Sequence, residues 1–203
     1  MPAPLTFTEA GKASRVWSRL FDERPLLAAK LSDPSLNITI ENHEFGMPPA
    51  HFFAADTKYP QLREEFEVLN TAVDRRGVEY VATIEHKKYP FFGVQWHPEK
   101  PASEFSDPAI PHDHAAISVG HYLADALMDV ARSSPHKPAS IEQELADLIY
   151  NAKPVFTARE IVMEASYDGP DITYFFDKQV APHERDPEEA GSGGERQERM
   201  TVS

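Results

Sequence analysis

The stretch Tyr-Pro-Phe-Phe-Gly-Val-Gln-Trp-His-Pro-Glu-Lys, residues 89–100, decides the fold of this sequence. Its segment 91–96 is nearly all apolar, which is typical of a strand buried on both faces of a sheet. Pro98 ends that strand because proline cannot donate a ladder hydrogen bond. His97 is therefore expected at the C-terminal end of a central strand. Ligands of open α/β sheets bind outside that end of the strands, so His97 is a candidate site residue.

Two further strands are predicted upstream of this motif, as an antiparallel meander. Residues 66–73 are strand-like, residues 74–77 form a turn, and residues 78–84 alternate between apolar and polar side chains. Nearer the N-terminus, residues 1–36 are expected to be loop followed by a helix that proline interrupts, and residues 37–43 to form a short strand.

Helices are predicted downstream of the motif. Residues 113–131 and 140–150 carry apolar side chains at helical spacing, and Asp113 and Ser140 are placed to cap them. Residues 172–176 are predicted to form a last strand. From residue 178 the chain is poor in apolar residues and rich in charge, so residues 178–203 are expected to be a disordered polar tail.

The spacing of His97 and Glu99 suits proton transfer. Imidazole titrates near neutrality, so it can take a proton from a nucleophile and return it to a leaving group. A carboxylate two residues further on can orient the ring and stabilise the imidazolium. Taken alone, however, a His-x-Glu pair favours the plainer interpretation of a strand-end histidine that caps a loop.

The complete motif, residues 89–100, favours a catalytic role for His97 over loop capping. Residues 93–99 closely resemble the His-Glu motif of class I glutamine amidotransferases, and with Tyr89-Pro90 and Lys100 the string is similar to the γ-glutamyl hydrolase branch. Further segments are similar to that family in the same order: Pro4-Leu-Thr-Phe-Thr8, Ser18-Arg-Leu-Phe21, Phe66-Glu-Val-Leu-Asn-Thr71 and Tyr174-Phe-Phe-Asp177.

The resemblance implies an α/β fold. Residues 1–177 would be the C-terminal half of a class I glutamine amidotransferase-like (flavodoxin-like) domain, with a mixed sheet and flanking helices. The family cleaves γ-glutamyl bonds of folylpoly-γ-glutamates through a cysteine thioester, without metal or organic cofactor. His97 matches its catalytic histidine, Glu99 the third member of its triad, and His43 a histidine that lines the substrate site. From the sequence alone, His43 would instead be a surface strand residue.

The chain has no cysteine, and the resemblance places the family's cysteine in the N-terminal half of the domain. No serine or threonine has the Gly-x-Ser-x-Gly context of a nucleophile elbow. The chain alone is therefore expected to be inactive. Two alternatives stay open: a non-catalytic pseudo-enzyme that binds γ-glutamyl ligands, and the glutaminase part of a glutamine amidotransferase.

Composition limits the partners. The net charge of −13 argues against nucleic acid and anionic membranes, and no apolar run reaches the length of a membrane span. His112, His114 and His121 are not spaced as a metal site.

The resemblance implies a location in the vacuole, lysosome or outside the cell, although the N-terminus does not have the pattern of a signal peptide. It also implies a homodimer.

Overall fold

A computed structural model describes residues 3–54, 58–105, 107–157, 171–177 and 199–202. The chain divides into two units, residues 1–135 and 136–203, and each unit has its own sheet. Every strand pairing in these described ranges is antiparallel. Helices and sheet together confirm the predicted α/β class, whereas the parallel strands of the expected mixed sheet are not among the described residues.

The first unit combines a four-stranded sheet of order β1-β2-β3-β4 with short helices and one long helix. Its strands are β1 (Thr6–Phe7), β2 (Phe66–Val73), β3 (Glu79–His86) and β4 (Phe92–Val94). Its helices are α1 (Glu9–Lys12), α2 (Ser18–Glu23), α3 (Pro25–Leu31), α4 (Pro49–Phe53), α5 (Pro60–Glu65), α6 (Lys100–Ser103) and α7 (His114–Arg132).

The predicted meander is confirmed as the β2–β3 hairpin. Its turn closes through a 2.9 Å hydrogen bond from the Asp74 N–H to the Val78 carbonyl, and Gly77 supplies the positive φ of 81°. The Asp74 carboxylate also accepts hydrogen bonds from the N–H groups of Arg76 and Val78, each of 2.8 Å. This turn therefore fixes the register of the two longest strands.

Helices cover both faces of this sheet. Successive strand residues point to opposite faces, and Tyr80 and Ala82 belong to one apolar cluster whereas Val81 belongs to another. The larger cluster also takes Trp17 just before α2, and side chains of α2, α3 and α7. The smaller one takes Phe52 of α4, with Leu62 of α5 packed against it.

The prediction of a doubly buried strand over residues 91–96 is wrong. β4 covers only Phe92–Val94, pairs with β3 alone among the described strands, and is half-buried to exposed. One further ladder bond, from the Gln95 N–H to the Ala82 carbonyl, continues this pairing for one residue. The apolar run therefore forms a sheet edge on which no described strand lies.

Three N-terminal expectations have mixed outcomes. The helix is interrupted at Pro25 as predicted, since α2 ends at Glu23 and α3 begins at the proline. Strand β1 occupies the stretch predicted to be loop. Residues 37–43 form no strand. Their backbone link to the segment after β4 is a 3.0 Å hydrogen bond from the His97 N–H to the Ile40 carbonyl.

The long helix α7 confirms the prediction over residues 113–131. Asp113 is its N-cap, and the carboxylate accepts hydrogen bonds from the N–H groups of Ala115 (2.8 Å) and Ala116 (3.2 Å). The same two alanines are buried, as are Val119 and Tyr122 one and two turns further on. The cap therefore holds the end of the helix that packs into the core.

The second unit has a three-stranded sheet of order β5-β6-β7, with strands Pro154–Phe156, Ile172–Asp177 and Arg199–Val202. The middle strand confirms the prediction at 172–176. Helix α8 (Ile141–Ala146) is shorter than the predicted 140–150, because Asn151 donates hydrogen bonds to its last carbonyls and a 3₁₀ turn, Ile149–Asn151, follows. Of the predicted tail, residues 178–198 and 203 lie outside the described residues.

Candidate active site

After β4 ends at Val94, the chain buries Trp96 and leaves His97 partly exposed. Trp96 is buried in the larger cluster, with its indole nitrogen 3.5 Å from the Thr83 hydroxyl. His97 follows it, beyond the bend at residues 95 and 96, and is only partly buried. The buried tryptophan and the backbone bond from His97 to Ile40 therefore fix where the imidazole leaves the sheet.

The structure brings His97 and Glu99 together. The distance from the His97 Nδ1 to the Glu99 Oε1 is 2.8 Å, and the two side chains are 35% and 63% exposed. Because an ionised carboxylate only accepts hydrogen bonds, Nδ1 carries the hydrogen in this pair. In the neutral imidazole the opposite nitrogen, Nε2, then carries the lone pair. A histidine held in this way can act as a general base.

Two contacts to backbone carbonyls support the His97-Pro98-Glu99 turn. The Ser103 hydroxyl donates a 3.2 Å hydrogen bond to the Glu99 carbonyl at the start of α6. On the other side, α7 approaches so closely that a Cβ on Gly120 would lie 2.4 Å from the Pro98 carbonyl oxygen. Glycine at this point of α7 therefore allows the helix to support the turn directly.

His43 lies apart from this pair, and the structure records no contact between them. Its Nε2 is 2.9 Å from the Glu41 carboxylate, and its Nδ1 is 3.1 Å from the Phe45 carbonyl. Its ring packs edge-on against Tyr80, with centroids 5.1 Å apart. Both ring nitrogens thus face oxygen acceptors, which anchors the imidazole in one orientation.

The surroundings of His43 also affect a tyrosine. Burial raises the pKa of the Tyr80 hydroxyl, and the negative charge of Glu41 raises it further. The Oε1 of Glu41 is buried without a hydrogen-bond partner in the structure. Glu41 therefore connects His43 to Tyr80 in one polar group beneath the surface.

A cavity of about 570 Å³ opens beside these residues. It is lined by Phe45, Gly46, Met47, Pro48, His51, Ala54, Lys58, Tyr59 and Gln95. Gln95 lies two residues before His97, and Phe45 lies two residues after His43. The sequence offered no signal for this cavity, because its walls come from three separate segments.

Sequence reasoning also missed the arginine that holds the loop in front of β4. The Arg15 guanidinium pairs with the buried Glu85 carboxylate and donates to the carbonyls of His86 and Tyr89, the latter at 2.9 Å. It also lies 5.6 Å from the centre of the Phe92 ring. An arginine before a helix carries no sequence signal for a partner 70 residues away.

Neither a metal-binding cluster nor a membrane-spanning helix is found in the described ranges. Among those residues no cluster of three or more histidine, aspartate or glutamate side chains is arranged to hold a metal ion. No helix of the described part has both the length and the apolar character needed to cross a membrane. The sequence contributes no thiol, so the His97–Glu99 pair has no cysteine of this chain to deprotonate.

Comparison with known proteins gives a family match over the part of the chain that contains this pair. The model of the family Glutamine amidotransferase class-I matches residues 18–114, which include His43, His97 and Glu99. γ-Glutamyl hydrolase 1 of Arabidopsis thaliana is 42% identical over 132 residues, which are 65% of this chain and 36% of that protein. γ-Glutamyl hydrolase B of Dictyostelium discoideum is 33% identical over 165 residues, 81% of this chain and 45% of its own length.

The γ-glutamyl hydrolase of Mus musculus gives a similar result, with 32% identity over 165 residues that are 81% of this chain and 49% of that protein. The chain therefore spans about a third to a half of the length of these relatives. The matched length also exceeds the 135 residues of the first unit, so the similarity reaches into the second. These matches support the assignment of the chain to the γ-glutamyl hydrolase family, within the class I glutamine amidotransferases.

Proposed function

We propose that this chain provides the histidine and carboxylate of a γ-glutamyl hydrolase active site. The observation that carries the proposal is the 2.8 Å pairing of the His97 Nδ1 with Glu99 just after β4, which leaves Nε2 of the neutral imidazole as the proton acceptor. Glu99 orients the ring and stabilises its protonated form. The nucleophile would be a cysteine outside this sequence.

The proposed reaction proceeds by acyl transfer. Nε2 of His97 takes the proton of the cysteine thiol, and the sulfur attacks the γ-carbonyl carbon of the substrate. The protonated imidazole then gives that proton to the leaving α-amine as the carbon–nitrogen bond breaks, which leaves a thioester. Water attacks the thioester with His97 again as base, and the products are a free γ-carboxylate and the regenerated thiol.

The proposed substrates are folylpoly-γ-glutamates, cleaved without metal or organic cofactor. We propose that His43 lines the substrate site, held by Glu41 and the Phe45 carbonyl. Residues 1–177 would be the hydrolase portion and 178–203 a polar tail, with the protein working as a homodimer in the vacuole, lysosome or outside the cell. The length of the match supports the first boundary, since it extends beyond the first unit.

The test is hydrolysis of a pteroyl-poly-γ-glutamate by the 203-residue chain and by the same chain joined to the cysteine-bearing part of a relative. We expect activity only in the joined protein. There, His97→Ala should lower kcat by at least 10²-fold, the order expected for loss of a general base, while His121→Ala on the exposed side of α7 should not. Equal activity of the two histidine variants would refute the assigned role.

A pseudo-enzyme is the second candidate, and the lack of cysteine would favour it if these 203 residues were the whole natural product. Such a protein would bind γ-glutamyl ligands without cleaving them. It differs from the first candidate in one measurable respect: the 203-residue chain would bind poly-γ-glutamate tightly by itself, and the joined protein would remain inactive. A glutaminase part of an amidotransferase would instead release ammonia from glutamine.

A further inference from the structure

We propose that His86 is a proton-sensitive anchor of the loop 87–91, which leads into β4. His86 is the last residue of β3 and its side chain is buried. Its backbone N–H donates a 2.9 Å hydrogen bond to the Phe91 carbonyl at the far end of the loop. The loop therefore leaves β3 at His86 and returns to the same residue before β4 begins.

The His86 side chain holds the loop through a single ring nitrogen. The N–H groups of Lys88 and Tyr89 both donate to Nδ1, at 3.0 Å each. A backbone N–H can only donate, so Nδ1 carries a lone pair and no hydrogen. The form that fits this loop is thus the neutral ring with its hydrogen on Nε2. A proton added at Nδ1 would remove the acceptor of both N–H groups at once.

Aromatic packing joins the loop to the same imidazole. Three rings lie with their centres 4.9, 5.0 and 5.7 Å from it, which are those of Phe66, Tyr89 and Phe91. Phe66 belongs to β2, whereas the other two belong to the loop. The hydrogen bonds and the apolar contacts of the loop therefore depend on one side chain, so a change in its charge affects both together.

The charges around His86 determine what protonation would do. The carboxylate of Glu65, at the end of α5, lies 3.8 Å from Nε2, which is too far for a hydrogen bond but close enough to attract an imidazolium. The neighbouring charged groups have other partners, in the pairs Arg15–Glu85 and Lys87–Glu67 and in the Lys88 ammonium over the Tyr89 ring. Protonation would exchange two loop hydrogen bonds for an ion pair with Glu65.

The loop matters because of the strand that follows it. Among the described strands β4 pairs with β3 alone, so the loop and that one ladder hold its start. The His97–Glu99 pair comes shortly after β4 ends at Val94. A proton taken up by His86 would therefore loosen the beginning of the strand that precedes this pair.

The experiment follows the 203-residue chain by NMR between about pH 5 and 8, the range in which imidazole side chains change charge. Ring nitrogen shifts show which nitrogen of His86 carries hydrogen, and the amides of Lys88 and Tyr89 report on the loop. We expect Nδ1 to be unprotonated at the upper end of the range, and both amides to shift in step with protonation of the ring. Their protection from hydrogen exchange should fall about 5–10-fold, as for the loss of one hydrogen bond each.

Two substitutions of His86 separate the acceptor from the charge. His86→Asn offers an amide oxygen near the position of Nδ1 but does not titrate, so both loop amides should stay protected over the whole range. His86→Phe offers no acceptor and should leave both amides weakly protected throughout. In Glu65→Gln the same change should need more acid, because the imidazolium loses its partner.

His121→Asn is the matched control, since this histidine lies on the exposed side of α7, and it should leave the titration of the loop amides unchanged. A hydrogen on Nδ1 at the upper end of the range, or loop amides that do not follow the ring, would overturn the proposal on the unmodified chain alone. Loop amides in His86→Asn that still titrate as in the unmodified chain would also refute it.

Discussion

Replacing Arg15 by alanine is expected to destabilise the first unit by about 2–3 kcal/mol, because it leaves a buried carboxylate without its cation. Breaking a fully buried ion pair costs roughly 3–5 kcal/mol. The Glu85 side chain meets that condition at 8% exposed, but Arg15 is 40% exposed, so water screens part of the interaction. Lost hydrogen bonds to the His86 and Tyr89 carbonyls add to the effect.

The assay is urea unfolding followed by tryptophan fluorescence, which reports on the core because Trp17 and Trp96 are both buried. Arg19→Ala is the matched control: its partners Glu23 and Asp129 are exposed, so we expect a much smaller change than for Arg15→Ala.

A double-mutant cycle tests the cause. Glu85→Gln keeps an oxygen acceptor for Arg15 and should cost about 1 kcal/mol, in the range of a single hydrogen bond. The double variant should be less destabilised than the sum of the single variants, with a coupling of about 1–2 kcal/mol. An Arg15→Ala variant as stable as Arg19→Ala, or effects that add within about 0.5 kcal/mol, would refute the reasoning.

Three further predictions concern a helix cap, a buried phenol and a turn. Asp113→Ala should destabilise the first unit by about 1 kcal/mol in urea, while Ser140→Ala, which uncaps an exposed helix, should leave that transition unchanged. Burial raises the pKa of Tyr80, so its neutral hydroxyl contributes to folding stability below the unfolded-state pKa of about 10. This contribution is lost as the pH rises through the higher folded-state pKa. Tyr80→Phe should therefore reduce the alkaline fall in thermal stability, and an unchanged alkaline slope would contradict that. Hydrogen bonding from the Val78 N–H lowers the pKa of Asp74. The ionised carboxylate therefore stabilises the folded chain above its unfolded-state pKa of about 4, and this stabilisation is lost as the pH falls through the folded-state pKa. Asp74→Ala should flatten the acid side of the Tm profile, and a profile parallel to that of the unmodified chain would be the contrary result.

Local patterns predicted the elements that depend on neighbours in sequence. Helix α7 was predictable because Asp113 precedes a long apolar period, and the β2–β3 hairpin because alternating runs flank a glycine turn. The approach of His97 to Glu99 was expected for the same reason, since two residues separate them.

Features formed by residues far apart in the sequence could not be predicted from local patterns. Burial of residues 91–96 requires strands on both sides, and the apolar run itself does not show whether a second neighbour is present. The pairing of Arg15 with Glu85 and the cavity at Phe45 come from segments that only the fold brings together. An apolar stretch or a lone arginine is compatible with too many arrangements to predict one.

The pairing of β1 with β2 has a consequence for how the chain folds. Thr8, just after β1, donates its hydroxyl to the Val68 carbonyl across 60 residues of sequence. Contacts of such separation slow folding because the loop must close before they form. At ribosomal rates of about 5–20 residues per second, β1 would leave the exit tunnel roughly 3–12 seconds before its neighbour. Because β1 pairs with β2 alone among the described strands, it stays unpaired until β2 has been made.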